Sequence, residues 1–256
     1  MLLQNKTAVV TGCNRGIGKK ILEVFSSNGA TIFACVRDVD DKFKLYIDDL
    51  KKKFNNKIIP IQFDLNNESQ IKEAANTILS SKKSIDILIN NAATIYTAMF
   101  QMTSVKKLRE IFETNFFAQT IFTQYILKSM IKKKNGSILY ISSSSALDGN
   151  EGRSAYSSTK SAIIAQAKVL SREMGIHNIR VNALAPGLTN TDMMTENTSK
   201  EIINNIASNI SLKRIANPKE IANVALLISS DLSSYITGQV IRVDGGMWWK
   251  LVKPNK

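Results

Sequence analysis

The 256-residue sequence predicts one α/β domain: a doubly wound sheet of seven mostly parallel strands with helices on both faces. Three observations predict it. Short β-branched runs alternate with helical patterns along most of the chain. The first run passes through a glycine-rich turn directly into a helical pattern. No repeat, low-complexity linker or Pro/Gly-rich hinge divides residues 1–256.

Thr7-Ala8-Val9-Val10 reads as the first strand, ended by Thr11-Gly12. Residues 19–28 read as a helix, with Ile21, Leu22 and Phe25 on one face and Gly29 closing it. Further strands are expected at 30–36, 58–63, 85–89, 137–142, 179–184 and 239–243, most of them separated by helical patterns. The segment from about 188 to 215 is polar and has no strand pattern; it is expected to cover a site as a mobile lid.

Composition narrows the function classes. A hydrophobic content of 44% against 21% charged residues marks a globular chain, not a disordered one. Residues 1–6 carry no secretory apolar region and no apolar run reaches bilayer length, so no membrane and a cytoplasmic location are expected. Two cysteines, Cys13 and Cys35, make neither a disulfide framework nor a metal-site spacing. A single histidine, His177, argues against histidine triads and multi-histidine metal sites, and no metal is expected. The net charge of +13 raises a nucleic-acid reading. The lysines, however, are scattered. Lys51-Lys52-Lys53 and Lys132-Lys133-Lys134 fall at expected helix ends, where cations suit the helix dipole. Solvated surface is the favoured reading, nucleic acid is not expected, and an anionic cofactor or acidic partner protein is a secondary use.

Tyr156 and Lys160 stand four residues apart and share one helix face. A free tyrosine titrates near pH ~10. An ammonium beside it stabilises the phenolate and lowers that value, making a proton donor and acceptor usable at neutral pH. At the other end of the chain, Thr11-Gly12-Cys13-Asn14-Arg15-Gly16-Ile17-Gly18 opens the first helix. Glycines there let backbone approach a pyrophosphate, and the helix N-terminus favours its charge. The end of the second strand is where an adenosine ribose is read. Val36 holds that position and Arg37 follows, with Arg15 as a second cation, so NADP(H) is preferred. Asp38 and Asp40 keep NAD(H) open if the strand ends later.

Taken together, the motifs resemble the short-chain dehydrogenase/reductase family over nearly the whole chain. They are Thr11-Gly12-x-x-x-Gly16-x-Gly18, Asp64-Leu65, Asn90-Asn91-Ala92, Asn115, Ser143, Tyr156-x-x-x-Lys160 and Pro186-Gly187, in that order. The resemblance implies a Rossmann-type fold and these roles. Asp64 would accept from the adenine amino group and Leu65 would donate its backbone N–H to the ring. Asn91 and Ala92 would lie on the adenosine ribose side, and Thr191 would contact the nicotinamide carboxamide. Pro186, Gly187 and Thr189 would line the same cofactor. Tyr156 and Lys160 would also hold the nicotinamide ribose. Ser143, thirteen residues before Tyr156, would polarise the substrate carbonyl. Asn115 would hold a water linking Lys160 to solvent. Ala93 and Thr189 depart from the family pattern, and Ala93 is harmless only if its φ is negative.

The resemblance further implies an NAD(P)-dependent oxidoreductase acting on CH–OH groups. Hydride passes between NADPH and a carbonyl carbon, with Tyr156 as proton donor. The C-terminal half is most similar to 3-oxoacyl-(acyl-carrier-protein) reductases of fatty acid synthesis. That implies an acyl-thioester substrate, an acyl carrier protein as partner and a homotetramer. The two docking-arginine positions hold Lys134 and His177, which weakens the carrier assignment. Reduction of a sugar, polyol, steroid or other small ketone is the alternative. An inactive dinucleotide-binding scaffold and a basic nucleic-acid-binding protein are more distant ones. Phe112, Phe116, Phe117 and Phe122 fit an interface as well as a core, and Trp248-Trp249 suggests burial against another subunit.

Overall fold

The computed structural model describes residues 1–81 and 83–247; Trp248-Trp249 lies outside them. In chain order the elements are β1 (Thr7–Thr11), α1 (Gly16–Ser27), β2 (Thr31–Val36), α2 (Asp41–Phe54), β3 (Ile58–Gln62), α3 (Glu68–Ser80) and β4 (Ile87–Asn90). There follow α4 (Val105–Phe112), a π-helical turn (Glu113–Phe117), α5 (Ala118–Lys133), β5 (Gly136–Ile141), the short α6 (Ser145–Asp148) and α7 (Ser154–Met174). The chain continues with β6 (Ile179–Pro186), α8 (Asp192–Asn197), α9 (Lys200–Asn209), α10 (Pro218–Ser229) and β7 (Val240–Val243).

One seven-stranded sheet runs in the order β3-β2-β1-β4-β5-β6-β7, with every pairing parallel. Central β1 is buried along its whole length, as a strand covered on both faces must be. Alternate residues go to opposite faces. Val10, Ala34 and Ile89 pack against Ile21, Leu22 and Phe25 of α1 and Ile221 and Ala225 of α10. Val9, Phe33 and Leu88 pack on the other face with Ile78 of α3, Phe122 of α5 and Ile163 of α7.

The chain winds outward from β1 to β3, then returns to start β4 on β1's other side. Loops leaving the carboxyl ends of β1 and β4 therefore diverge, and a crevice opens between them. Local chemistry sets several boundaries. Asp40 caps α2 by accepting from Phe43 N at 2.7 Å. Asn217 and Glu220 form a capping box at α10, with Pro218 in its first turn. The fourth strand starts later than the 85–89 expected. Buried Asp86 is instead bound by Thr7 N at 2.8 Å and by Lys133. The first helix starts at Gly16, because the end of the glycine turn is already helical. Residues 188–215 are strand-free as expected, but they fold into α8 and α9, anchored by buried Met194 and Ile210.

The phenylalanines divide. Phe122 is fully buried, its ring 5.1 Å from that of Phe63. Phe112, Phe116 and Phe117 form a separate aromatic cluster, and Phe117 is about half exposed. Replacing Phe122 by Ala is expected to lower unfolding stability by about 3–5 kcal/mol, read from urea midpoints at constant m-value. A loss below about 1 kcal/mol would contradict its placement as the bridge between α5 and the sheet.

Candidate active site

The floor of the crevice is a junction between two loops. Thr11 Oγ1 accepts from the backbone N–H of Asn91 (3.0 Å) and Ala92 (3.1 Å) and donates to Ile89 O (3.3 Å). The Asn91 amide answers by donating to Thr11 O (3.0 Å) and Gly12 O (2.9 Å). These bonds draw the chain so tight that two glycines are obligatory. A Cβ on Gly18 would lie 2.1 Å from Gly12 O and 2.4 Å from Asn91 Nδ2. Gly12 has φ +65°, and its Cβ would lie 2.8 Å from the Ala92 Cα. Ala93 is not among the residues with positive φ, so its methyl group is accommodated.

Above this floor lies a cleft of about 1670 Å³. Every residue expected against the dinucleotide lines it, from Gly12 in the glycine turn to Thr191 before α8. The N-terminus of α1 carries no side-chain cap and no acidic residue in its first turn, so it can receive a pyrophosphate. Volume, open helix end and glycine floor together fit a dinucleotide.

At the ribose end, β2 stops at Val36, whose side chain is buried in the core. Arg37, not Val36, is the exposed residue there, and its nearest charge is Asp38 at 3.4 Å. Asp40 caps α2 through one carboxylate oxygen and does not line the cleft, whereas Asp38 does. Arg15 pairs with Glu196 of α8 at 3.1 Å. Asp64 accepts from Asn66 N at 2.8 Å. Thr191 Oγ1 caps α8 through Met194 N (3.3 Å), and Thr189 Oγ1 donates to Gly187 O (3.0 Å).

Ser143, Tyr156 and Lys160 meet on the far wall. Within the serine run, Ser142 donates to Lys160 O (2.9 Å), whereas Ser143 turns to the cleft and hydrogen-bonds Tyr156. Asn115 is fully buried one layer behind. Its amide accepts from Thr94 N (2.8 Å) and donates to Thr94 O (2.9 Å) and Thr159 Oγ1 (3.2 Å). It thus ties the loop after β4 to the helix that carries Tyr156.

Comparison with known proteins decides the family. A family model described as enoyl-(acyl carrier protein) reductase matches residues 12–248. The 3-oxoacyl-(acyl-carrier-protein) reductase of Aquifex aeolicus is 37% identical over 246 residues, 96% of this chain and 98% of that protein. The chain belongs to the short-chain dehydrogenase/reductase family. A 3alpha-hydroxysteroid dehydrogenase of Mediterraneibacter gnavus is 33% identical, over 96% of this chain and 98% of that protein. A solved structure described as a candidate NAD(P)-dependent gluconate 5-dehydrogenase of Beutenbergia cavernae, with NADP bound, superposes with TM-score 0.90. It is 29% identical, over 96% of this chain and 97% of that one. This short-chain dehydrogenase/reductase is therefore an oxidoreductase that acts on CH–OH groups with a nicotinamide dinucleotide.

The electrostatics of its Tyr–Lys pair differ from the simple expectation. Burial holds the Tyr156 phenol above its ordinary value; the Ser143 hydrogen bond and the Arg153 charge pull the other way without winning. Lys160 Nζ donates to Ile141 O at 2.8 Å and stands 5.7 Å from the Tyr156 ring centroid. Burial lowers its own pKa to about 7, so much of its charge is gone at neutral pH. Lys160 is not among the groups that lower the Tyr156 pKa here.

Two residues escape sequence reasoning. Ser145 directs both its backbone N–H (3.2 Å) and its hydroxyl (2.9 Å) to Ser143 Oγ, leaving the Ser143 hydrogen free to donate. Arg153 lines the cleft at the start of α7. A polar loop arginine carries no sequence signal of that kind; its i, i+3 relation to Tyr156 is the only available hint.

Gly18→Ala is expected to weaken dinucleotide binding at least tenfold while the protein stays folded, measured by quenching of intrinsic fluorescence. Unchanged affinity would show that the Gly12–Asn91 junction does not shape the cofactor seat.

Proposed function

We propose that this enzyme uses NADPH to reduce the 3-oxo group of an acyl thioester, as a 3-oxoacyl-(acyl-carrier-protein) reductase of fatty acid synthesis. The observation that carries the reading is that Ser143, Tyr156 and Lys160 line one cleft with the glycine turn, in a chain similar over 96% of its length to the Aquifex reductase. Bound NADPH supplies the hydride. Gly12, Asn14, Gly16, Ile17 and Gly18 seat its pyrophosphate; Asp64, Leu65, Asn91 and Ala92 its adenosine; Pro186, Gly187, Thr189 and Thr191 its nicotinamide end. The preference for NADPH is supported by Arg37 and Arg15 at the ribose end and by the diversion of Asp40 to a helix cap.

Ser143, its oxygen held by two donors from Ser145, points its hydrogen at the substrate carbonyl. Tyr156, kept protonated by burial, donates to the alkoxide as it forms. Lys160, titrating near neutrality, returns the proton and with Tyr156 holds the nicotinamide ribose. The widened turn Glu113–Phe117 around Asn115 is where we place the water that connects Lys160 to solvent. Helices α8 and α9 serve as the lid.

One observation favours the alternative of a different small ketone. Lys134 and His177 lie on the turns before β5 and β6, at the end of the sheet remote from this chain's cleft. A carrier protein docked there would reach a cleft only in another copy. The carrier reading thus depends on the proposed homotetramer, for which the half-exposed Phe117 is a contact candidate.

The decisive assay follows NADPH consumption with a 3-oxoacyl thioester, beside NADH and a panel of plain ketones, keto-sugars and keto-steroids. NADPH-specific turnover of the thioester that Tyr156→Phe lowers by a factor of at least 10³ is expected. Tyr156-dependent turnover of the other ketones alone would replace the acyl reading with the alternative. A pH profile tests the electrostatics. The Lys160 ammonium is present below its pKa of about 7, so kcat/KM for reduction should be flat below pH 7 and fall above it. A profile flat to pH 9 would remove Lys160 from proton delivery.

A further inference from the structure

Arg242, in the last strand, grips two carboxylates. Its Nη1 and Nη2 reach the two oxygens of Asp148, with Nη1 to Oδ1 at 2.9 Å, and its Nε donates to Asp244. Asp148 ends α6, 94 residues away in sequence. The Arg242 side chain is 35% exposed, Asp148 19% and Asp244 9%. A two-pronged guanidinium–carboxylate pair sheltered to this extent fixes both partners in orientation, which a single exposed contact does not.

One end of this network leads to the catalytic serine. Helix α6 is a single turn, too short to hold its shape unaided. Its first residue is Ser145, whose N–H and hydroxyl hold Ser143 Oγ, and Asp148 stands three residues on. Ser161 of α7 fastens the middle of the turn by donating to Ala146 O (2.9 Å); Arg242 fastens its end. With the fork gone, α6 can swing about the Ser161 contact and carry Ser145 off Ser143. The other end leads to the base of the lid. Asp244 accepts from Gly246 N (3.1 Å), and Arg242 Nη2 also donates to Met247 O (3.4 Å). The same turn receives the chain leaving α9. Gly246 O accepts from Ser211 N (3.2 Å) and Ser211 Oγ (2.8 Å), and Gly245 O accepts from Leu212 N (3.1 Å).

We propose that Arg242 is a positioning residue for the reaction: through Asp148 it sets the orientation of Ser143, and through Asp244 it ties that orientation to the turn that anchors the lid. The inference rests on the assignment of Ser143 to the substrate carbonyl. Neither Arg242 nor Asp148 lines the cleft, so the action is indirect.

The test uses whichever carbonyl compound of the panel above wild type reduces fastest. Arg242→Gln, Arg242→Lys and Asp148→Asn are each made alone and together with Ser143→Ala. Alone, Arg242→Gln should lower kcat about tenfold and leave the NADPH Kd within about twofold. Asp148→Asn should lower kcat likewise, and combining the two should cost no more than the worse single change. Arg242→Lys keeps the charge but loses the fork, and should recover only part of the rate. In the Ser143→Ala protein, Arg242→Gln should cost nothing further. A pair that only stabilises the fold would lower kcat by the same factor with and without Ser143, or leave kcat unchanged while lowering Tm; either result overturns the proposal. Hydrogen exchange reads the link without substrate. Arg242→Gln should speed exchange at residues 144–149 and 211–212 and leave β1 unchanged. Unchanged exchange at 144–149 overturns the proposal whatever the turnover. If wild type reduces nothing in the panel, that counts against the reductase reading, and the exchange result decides the Arg242 link by itself.

Discussion

The Thr11–Asn91 junction is the constraint on which the cleft depends. Two loops about eighty residues apart in sequence leave neighbouring strands at the point where the winding reverses, and nothing in the sheet itself holds them together beyond Thr11 and Asn90. One hydroxyl and one amide close that gap with five hydrogen bonds, satisfying backbone groups that would otherwise lie buried and unpaired. The closeness of the approach then dictates Gly12 and Gly18. It also sets the direction of α1, whose N-terminus can meet an anion only because the turn below it is drawn in.

A second tie gives the opposite wall its position. Asn115 binds backbone of the β4 loop with one side of its amide and Thr159 of α7 with the other. Thr159 in turn donates to Tyr156 O at 2.7 Å. The wall that carries Tyr156 and Lys160 is thereby referenced to the same β4 loop that Asn91 fastens to the glycine turn. The glycine turn and the wall that carries Tyr156 and Lys160 share one frame, so a small displacement of the β4 loop would disturb both.

Much of this was legible in the sequence wherever local pattern decides. Alternation of β-branched runs located all seven strands, because a strand buried on both faces is continuously apolar. The glycine turn and the Tyr156–Lys160 spacing stood out for the same local reason. Ser143 could be separated from its serine neighbours only by its interval to Tyr156. What escaped depends on contacts between distant segments. Asp40 looks like a ribose ligand until α2 is seen to begin behind it. Residues 188–215 look like loop because the short helices α8 and α9 are anchored by single buried residues, Met194 in α8 and Ile210 at the end of α9, and not by a long apolar face. Lys160 looks like a charged partner for Tyr156, but its ammonium meets Ile141 O inside the protein.

That last point bears on direction. Donating a proton needs a phenol, and abstracting one needs a phenolate. Burial favours the neutral phenol, and the neighbouring lysine loses charge near neutral pH instead of holding a fixed positive field. The cation that opposes burial is Arg153. In a site whose phenol is already protonated at working pH, orientation of the reacting group is the scarcer contribution.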